Sequence, residues 1–361
     1  MKISFYRHSL LSRGGDKMTI EYANYLTEKG HNVVLWYNIC DTVFKLHPKL
    51  KLLKIPILKK LGTIIYATIN RFNSDVVIVD IIALASLMSL RNRSRLIFFA
   101  QDYDESYYKN KLIKFFIRIL YFFCLKLMKV KVIAVAEWLS QILKEKYDAD
   151  VVTVENGIDL NTFYPDPDED LIRIKDDKKA VLLLSRNEYR KGFDIAIKVI
   201  NKLSNEYRNK IEVWTCGEEL KKETLKAKVR NFSWVTEDRM REIISSANTL
   251  YYPTRHEGLP LLPLEAMACG CSVVTTKAVS YVKDGENALV ADIEDTDNLK
   301  EKLMNILNDE LLREKLKKSG FETVSKYDIK ESQKKFEKAI MDIFPFKHNS
   351  SPDKLLKISS K

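Results

Sequence analysis

The sequence lacks the features of several common protein classes. No stretch of its 361 residues is apolar for long enough to cross a bilayer, and the opening MKISFYRHSL turns polar too early for a secretory signal peptide. It has no Gly-x-Gly-x-x-Gly loop, which argues against a nicotinamide-dependent dehydrogenase, and no recognition motif for nucleic acid. We therefore expect neither an integral membrane protein nor a nucleic-acid partner.

Cysteine and histidine are also scarce. The five cysteines include no Cys-x-x-Cys pair, and the five histidines are too scattered to form a metal cage. Cys269 and Cys271 flank a glycine, but no second cluster completes a zinc site. We expect reduced thiols in a cytoplasmic protein that holds no metal.

What the sequence does contain is typical of a two-domain α/β protein. The length exceeds one small core, and 46% hydrophobic with 30% charged residues is a globular composition. Strand and helix patterns alternate in both halves, which predicts parallel sheets with helices on both faces and ligands at the carboxyl ends of the strands. The predicted strands are 2–7, 32–37, 76–80, 95–99, 131–135, 151–154, 180–185, 211–216, 249–252 and 272–276. The predicted helices are 16–29, 109–129, 137–147, 191–205, 237–247, 261–269, 295–307 and 309–319.

Positive charge is concentrated in the first half. Residues 1–150 hold 24 Lys and Arg against 13 Asp and Glu, whereas the remainder holds 36 of each. The whole excess of +11 therefore lies before residue 151. Such one-sided charge indicates an anionic partner.

The strongest local contribution comes from the predicted helix 109–129, which lies in a stretch without acids between Glu105 and Glu137. On a helix, its cations and several apolar side chains fall in one arc of about 120°. The arc contains Lys111, Lys114, Arg118, Lys126 and Lys129, with Phe115, Phe122 and Leu125. Two interpretations remain: docking on an anionic membrane surface, which we favour, or a helix packed on the sheet with a solvated basic edge.

Residues 255–271, RHEGLPLLPLEAMACGC, carry the most information about function. Two carboxylates, Glu257 and Glu265, flank an apolar seven-residue spacer that contains Gly258 and Pro260. We expect Glu257 on a loop and Glu265 at the opening of a short buried helix, where unpaired backbone N–H groups favour anions. Such a site would bind a ligand that is both phosphorylated and rich in hydroxyl groups. The alternative is a surface Glu followed by an ordinary helix with an exposed Glu.

This segment resembles the Glu-x7-Glu motif of family 4 glycosyltransferases, which are retaining enzymes of the GT-B fold. Other stretches fit the same family in the same order. They are KISFYR followed by Gly14-Gly15, ENGIDLNTFYP at 155–165, LLLSRNEYRKGFD at 182–194, IEVWTCGEE at 211–219 and VKDGENALV at 282–290. The resemblance covers nearly all of the C-terminal half and the start of the N-terminal half, whereas residues 38–130 match it poorly.

For the fold, the resemblance implies two Rossmann-like β/α/β domains that face a central cleft. The N-terminal domain, on the acceptor and membrane side, would span 1–165 and regain a crossover helix at 328–345. The nucleotide-sugar donor domain would span 166–327, with the polar stretch 166–179 as the connection. Residues 346–361 would form a disordered tail.

For the donor, the resemblance implies that Arg186 and Lys191 bind the diphosphate. Two fixed cations would stabilise the departing nucleoside diphosphate without a metal or another cofactor. Arg190 is expected to point away. The family's glycine loop, here Gly14 and Gly15, would closely approach the donor phosphate and the acceptor, although a plain turn also fits these glycines.

The two acids and their neighbours take further roles by the same resemblance. Glu265 would accept hydrogen bonds from the ribose hydroxyls, and Glu257 would face the transferred sugar. The phosphates would meet the backbone N–H groups of Gly258, Leu259 and Leu261. Trp234 and Val235 lie where relatives hold the nucleobase, but Trp234 also fits a core position.

The chain departs from the family at one position. Many relatives place a His after the fourth or fifth strand, where this chain has Gln101 and Asp102. Gln cannot act as a base, so a proton-handling role there falls to Asp102 or to no residue. We expect His256, beside Glu257, to make a local loop contact.

The resemblance predicts a metal-independent, retaining glycosyltransferase. It would move a sugar from a nucleotide-diphosphate sugar to a glycan, lipid-linked or surface-polysaccharide acceptor, as a cytoplasmic protein peripheral on the inner face of the membrane. The alternatives are another GT-B enzyme, such as a sugar phosphorylase or a nucleotide-sugar epimerase, and a degenerate, non-catalytic membrane or complex subunit.

Overall fold

The computed structural model describes residues 1–56, 59–219 and 224–345, which form two α/β units. The strands of the first unit are β1 Lys2–Tyr6, β2 Ser9–Leu11, β3 Asn32–Tyr37, β4 Ile39–Asp41, β5 Lys51–Lys54, β6 Val76–Val79, β7 Leu96–Ala100, β8 Lys131–Ala134 and β9 Val151–Thr153. Seven of them form a parallel sheet in the order β5-β3-β1-β6-β7-β8-β9, and β2 pairs with β4. The helices are α1 Gly14–Glu28, α2 Lys59–Ile69, α3 Ile82–Asn92, α4 Lys111–Tyr121 and α5 Glu137–Tyr147.

The second unit is built on a six-stranded sheet. Its strands are β10 Lys179–Ser185, β11 Ile211–Gly217, β12 Lys228–Asn231, β13 Thr249–Tyr252, β14 Ser272–Thr276 and β15 Leu289–Ala291. They are parallel, in the order β12-β11-β10-β13-β14-β15. The helices are α6 Glu169–Lys175, α7 Phe193–Lys202, α8 Asn205–Asn209, α9 Glu237–Ser246, α10 Leu262–Ala268, α11 Thr296–Asn308 and α12 Glu310–Val324, and the chain then continues into α13 Ile329–Ile343.

The central strands read as continuous hydrophobic runs because helices cover both faces of a parallel sheet. β7 has the sequence LIFFA, and all five of its residues are buried. The last helix, α13, returns to the N-terminal unit: the ring of Phe336 stacks on Tyr22 with centroids 4.0 Å apart and meets Phe99 edge-on at 5.2 Å. Aromatic pairs of this kind contribute about 0.5–1.5 kcal/mol beyond their buried area.

The chain passes between the two units at two places that lie side by side. The N–H of Ile158 donates to the carbonyl of Tyr327 at 2.8 Å, and the N–H of Ile329 donates to the carbonyl of Ile158 at 3.0 Å. Gly157 lies directly against this crossing, since a Cβ there would come within 2.6 Å of the backbone of Asp328. Only glycine permits such a close approach.

Apart from the predicted helix 109–129, the predicted strands and helices match observed ones to within about five residues at each end. The elements that the sequence did not indicate are β2, β4, β5, α2, α3, α8, β12 and β15. The segment 166–179, expected as a bare connection, contains α6, which packs against α9 through an ion pair between Asp168 and Arg239. The predicted tail at 346–361 lies outside the described residues. All five cysteines are free, and all except Cys40 are buried.

The basic helix differs from its prediction. The α-helix ends at Tyr121, and a π-helical turn covers Phe122–Leu127. A π turn spaces residues differently from an α-helix, so the predicted arc breaks there. Leu125 is fully buried rather than part of an exposed arc, and Lys129 lies beyond the helix, paired with Asp148 at 3.0 Å.

The outer face of α4 is nevertheless apolar and exposed in the part of the chain that the structure describes. Leu112, Phe115, Phe116 and Ile119 are between 45% and 69% exposed, and Phe122 in the π turn is 45% exposed. Within the described residues, no helix combines the length and the apolar character that a membrane-spanning segment needs.

Candidate functional site

The first acid of the motif lies at the centre of a buried polar cluster in the cleft. Glu257 follows β13 on a loop and is 5% exposed. The ammonium of Lys191 donates to both of its carboxylate oxygens, at 2.9 and 2.8 Å, and the hydroxyls of Tyr252 and Thr254 donate at 2.5 and 2.9 Å. Burial opposes ionisation, but Lys191 and Arg190 outweigh it and hold the pKa of Glu257 below its ordinary value. Glu257 is therefore a carboxylate at neutral pH.

A tight turn brings Lys191 to this position. Residues Tyr189–Lys191 form a 3-10 turn after β10, and Gly192 closes it with φ of +66°. A Cβ at Gly192 would lie 1.8 Å from the carbonyl oxygen of Pro253, so the turn can pack against the loop after β13 only because residue 192 is a glycine. The N–H of Arg255 donates to the carbonyl of Arg190 at 2.7 Å and fixes the two segments together.

The prediction that Arg190 points away is wrong. One of its guanidinium nitrogens lies 3.6 Å from Glu257 and 3.7 Å from Asp102, and the guanidinium covers the ring of Tyr107 at 4.9 Å. Buried carboxylates from both domains converge here, and charges in such a place need partners. Arg190 is the cation that they share.

Arg186 is the other predicted phosphate ligand. It directly follows β10, is 6% exposed and pairs with Glu188. Its Nε is buried and, among the described residues, has no hydrogen-bond partner. A buried guanidinium donor without an acceptor is suited to an anionic ligand.

The second acid lies nearby but has a partner in the other domain. Glu265 is in the first turn of α10, and Lys17 of α1 donates to it at 2.8 Å and contacts Glu237 at 2.5 Å. Burial alone would lower the pKa of Lys17, but the two carboxylates outweigh it and raise that pKa above its ordinary range. The ammonium also lies 4.5 Å above the ring of Phe163. The structure thus brings Glu265 to the cleft, engaged by Lys17.

The predicted glycine loop faces the same place. Gly14 and Gly15 open α1; a Cβ on Gly14 would lie 3.9 Å from Leu261, and one on Gly15 would lie 3.2 Å from Gln101. Across the cleft, the N–H groups of three predicted phosphate-binding residues have no acceptor among the described residues. These residues are Gly258, Leu259 and Leu261.

Trp234 and Val235 lie in the loop that precedes α9. Trp234 is 43% exposed, so the alternative that it belongs to the core is wrong; Trp214 of β11, fully buried, fills the core. Glu237 follows two residues after Val235 and reaches Lys17. The loop therefore borders the cleft.

Asp102 and His256 meet across the cleft. Asp102 follows β7, and its Oδ1 accepts from the N–H of Tyr103 at 2.8 Å and lies 2.6 Å from Nε2 of His256. The expectation of a local loop contact for His256 is wrong, because its partner lies in the other domain. The side chain of His256 also packs edge-on against Trp138, at 5.5 Å between ring centroids.

Sequence reasoning missed several residues of this cluster. Lys17 and Trp138 contact the motif residues from distant parts of the chain, and Tyr252 and Thr254 contact Glu257 from β13 and the loop directly before it. Lys17 carried a weak signal, since it lies two residues after the glycine pair. Trp138 and the two hydroxyl residues carried none, because their roles depend on how the segments pack.

Comparisons with known proteins agree with this geometry. Residues 168–323 match the model of the family described as glycosyl transferases group 1. The chain is 26% identical over 226 residues to an uncharacterized glycosyltransferase of Methanocaldococcus jannaschii, covering 59% of this chain and 58% of the relative. It is 28% identical over 160 residues to the lipopolysaccharide core biosynthesis glycosyltransferase LpsE of Rhizobium meliloti, covering 41% and 45%. The matched region thus spans about half the length of these two relatives.

A third relative aligns over nearly its whole length. It is an alpha-1,4-N-acetyl-D-galactosaminyltransferase of Campylobacter jejuni whose named acceptor is a GalNAc-containing glycan on PP-undecaprenol. The identity is 20% over 367 residues, covering 95% of this chain and 99% of the relative.

Solved structures define the fold. WaaG, a glycosyltransferase involved in lipopolysaccharide biosynthesis, superposes with a TM-score of 0.77 at 17% identity, covering 95% of this chain and 100% of that one. HepE of Anabaena, solved with UDP and glucose, has a TM-score of 0.75 at 14% identity, with coverage of 95% and 100%. The chain has the GT-B fold, as predicted, with two parallel-sheet domains, and its second domain resembles group 1 glycosyl transferases.

Proposed function

We propose that this protein is a retaining glycosyltransferase of family 4 that transfers a sugar from a nucleotide-diphosphate sugar. The observation that carries the proposal is the buried pair of Lys191 and Glu257, in the cleft at the carboxyl end of the second sheet. Ligands of doubly wound sheets bind at this end. The group 1 match of the same domain supports the assignment.

The cations of the cluster suit a departing nucleoside diphosphate. Lys191, Arg190 and Arg186 lie within one short segment, and without ligand they are paired with Glu257 and Glu188. A diphosphate would take over Lys191 and Arg186 and meet the N–H groups of the 258–261 loop. Fixed donors of this kind stabilise growing negative charge without reorganisation, so we propose that no metal is required.

Glu257 then has an electrostatic role. Its lowered pKa keeps it ionised, so it cannot act as a general acid at neutral pH. It would bind hydroxyls of the transferred sugar or stabilise positive charge that develops at the anomeric carbon. In the same-face mechanism that we propose, the acceptor oxygen attacks on the side of the leaving phosphate, which takes the acceptor's proton.

The rest of the donor would lie along the second domain. Glu265 would accept from the ribose hydroxyls, and the loop with Trp234 and Val235 would border the base. The fold neighbour HepE was solved with UDP and glucose, which supports a nucleotide sugar as donor.

The acceptor is proposed to be a lipid-linked or surface glycan, met from the N-terminal domain. LpsE is named for lipopolysaccharide core biosynthesis, and the Campylobacter jejuni relative for a glycan on PP-undecaprenol. The exposed apolar face of α4, with Lys111 and Lys114 beside it, supports docking on an anionic membrane surface. We place the protein as peripheral on the inner face of the cytoplasmic membrane.

The test is stabilisation of the protein by UDP, GDP and ADP, each with and without Mg²⁺, in a thermal melt. A nucleotide at about a hundred times its dissociation constant adds about 2.7 kcal/mol to folding stability. We expect one nucleotide to raise the melting temperature without Mg²⁺, in the wild type and in Lys198→Ala, an exposed lysine of α7. Lys191→Ala should lose the shift.

Other results would favour the alternatives. If none of the three nucleotides shifts the melt, a degenerate, non-catalytic subunit becomes the better interpretation. Release of inorganic phosphate from a sugar 1-phosphate would favour a phosphorylase, and conversion of the donor to another nucleotide sugar without an acceptor would favour an epimerase.

A further inference from the structure

The loop that carries Glu257 is held from two sides. Its own domain holds the carboxylate, through Lys191, Tyr252 and Thr254. The residues directly before and after it, His256 and Gly258, are held by the N-terminal domain instead. The backbone at Glu257 therefore depends on a domain to which Glu257 does not belong.

Three contacts among four residues form this link, which we call the cross-cleft clasp. It consists of Asp102 and Trp138 from the N-terminal domain and His256 and Gly258 from the C-terminal domain. Nε2 of His256 lies 2.6 Å from Oδ1 of Asp102, and the indole N–H of Trp138 donates to the carbonyl of Gly258 at 2.9 Å. The rings of Trp138 and His256 meet edge-on, at 86° between their planes.

The clasp is closely packed. A Cβ on Gly258 would lie 2.1 Å from the carbonyl oxygen of Gln101, so the two domains touch here backbone to backbone. No side chain fits between them without separating the domains or moving the loop. Lys17 also crosses the cleft, but it holds Glu265 and Glu237 rather than the Glu257 loop.

We propose that Asp102, Trp138 and His256 are positioning residues that make the geometry of Glu257 depend on closure of the cleft. This inference rests on the proposed function of the site. Most of the proposed nucleotide-binding groups, such as Lys191, Arg186 and Glu265, are held without the clasp, so nucleotide affinity should depend on it less than turnover does, which needs Glu257 held in place against the sugar. An open, donor-loaded cleft would then be slow to react, which limits loss of donor to water.

The same contacts explain Asp102 without a proton transfer. Its Oδ1 is engaged by Tyr103 and His256, and its Oδ2 lies 3.7 Å from Arg190. A carboxylate with its oxygens engaged in this way is suited to holding the loop. His256, which contacts this carboxylate, belongs to the C-terminal domain.

The first experiment measures hydrogen exchange of the loop in the ligand-free protein, by mass spectrometry of the peptide that contains 255–261. Trp138→Phe keeps an aromatic ring but removes the indole N–H donor, and His256→Leu removes the contact with Asp102. Both should speed exchange in this peptide. The matched controls are Trp36→Phe and His31→Leu, which remove an indole donor to Ser4 and a His contact with Glu337 far from the cleft. Exchange that is unchanged relative to these controls would overturn the clasp.

The second experiment separates binding from turnover. The nucleotide that stabilises the wild type should bind both clasp variants with a Kd that changes much less than kcat. Release of nucleoside diphosphate from UDP-glucose, GDP-mannose or ADP-glucose should fall in kcat by roughly ten- to a hundredfold, as small misplacements in active sites do. A parallel loss in Kd and kcat would refute the inference.

Asp102 has its own diagnostic pair of variants. Asp102→Asn keeps an oxygen that can meet a protonated His256 nitrogen, so it should retain much more turnover than Asp102→Leu. If Asp102 were a base instead, both variants would be equally inactive. A wild type that binds no nucleotide would refute the proposed function, while the exchange experiment would still decide whether the clasp holds the loop.

Discussion

The single variant Lys191→Met should destabilise the C-terminal domain more than the double variant Lys191→Met/Glu257→Gln, in which the charge of Glu257 is removed as well. The two side chains are 10% and 4% exposed, and their charged atoms lie 2.8 Å apart. Lys191→Met therefore leaves a buried carboxylate without its main partner. Loss of one partner of a buried pair costs about 3–5 kcal/mol. Because Arg190 remains 3.6 Å away, we expect the lower end of that range.

The double variant Lys191→Met/Glu257→Gln removes both charges and should regain about 2 kcal/mol of the loss, since the two residues act as one unit. Scanning calorimetry of the wild type, both single variants and the double variant at neutral pH gives the coupling directly. A loss of about 3 kcal/mol corresponds to a fall of roughly 6–12 °C in the melting temperature of a domain of this size.

Low pH supplies an independent check. The pKa of Glu257 is lowered from 4.5, so its pairing stabilises the fold above that pH and is lost as the pH falls through the folded-state value. The difference between the wild type and the double variant should shrink below about pH 4.5. Additive losses in the two single variants at neutral pH, with no recovery in the double variant, would refute the reasoning.

Three further predictions follow from single features. Burial raises the pKa of Asp104 from 3.8 to about 7, so ionisation of this carboxyl lowers the stability of the fold as the pH rises through that range. Asp104→Asn should therefore have a higher melting temperature than the wild type at pH 8 but not at pH 4. In chemical denaturation, Gly192→Ala should lower the free energy of unfolding by about 2 kcal/mol or more, and Gly285→Ala by about 1 kcal/mol. Both glycines have positive φ, but of the two only Gly192 lies against a neighbouring carbonyl. Equal losses would argue against that contact. Phe116→Ser should weaken binding to anionic vesicles at low salt, whereas Leu311→Ser, 84% exposed on α12, should not; unchanged flotation of both variants would remove α4 from the membrane proposal.

Much of the fold could be predicted because its signals are local. β7 is a five-residue hydrophobic run, and α1 begins at the glycine pair, so their approximate positions are visible in the sequence. β5 escaped prediction because it is exposed along its whole length and reads KLLK. The π turn after α4 escaped because residue spacing alone assumes an α-helix.

In the candidate site, too, residues with a local sequence signal could be predicted, and contacts between distant segments could not. Glu257, Glu265, Arg186 and Lys191 were indicated by the resemblance to the family's motifs, and the structure brings them to one cleft. The orientation of Arg190 could not be predicted, because the carboxylate that draws it inward, Asp102, is far away in the chain. Contacts across a cleft leave no periodic trace in either segment.

The two chain crossings have a mechanical consequence for how the cleft opens. Because Ile158 is hydrogen-bonded to Tyr327 and Ile329, both passages between the domains act as a single pivot. A rotation of one domain relative to the other about that pivot has to break the contact between Trp138 and Gly258, while it leaves the crossing at Gly157 in place. The N-terminal domain, on which α13 packs, thus also carries Trp138. The contact of Trp138 with the carbonyl of Gly258 limits how far the other domain closes.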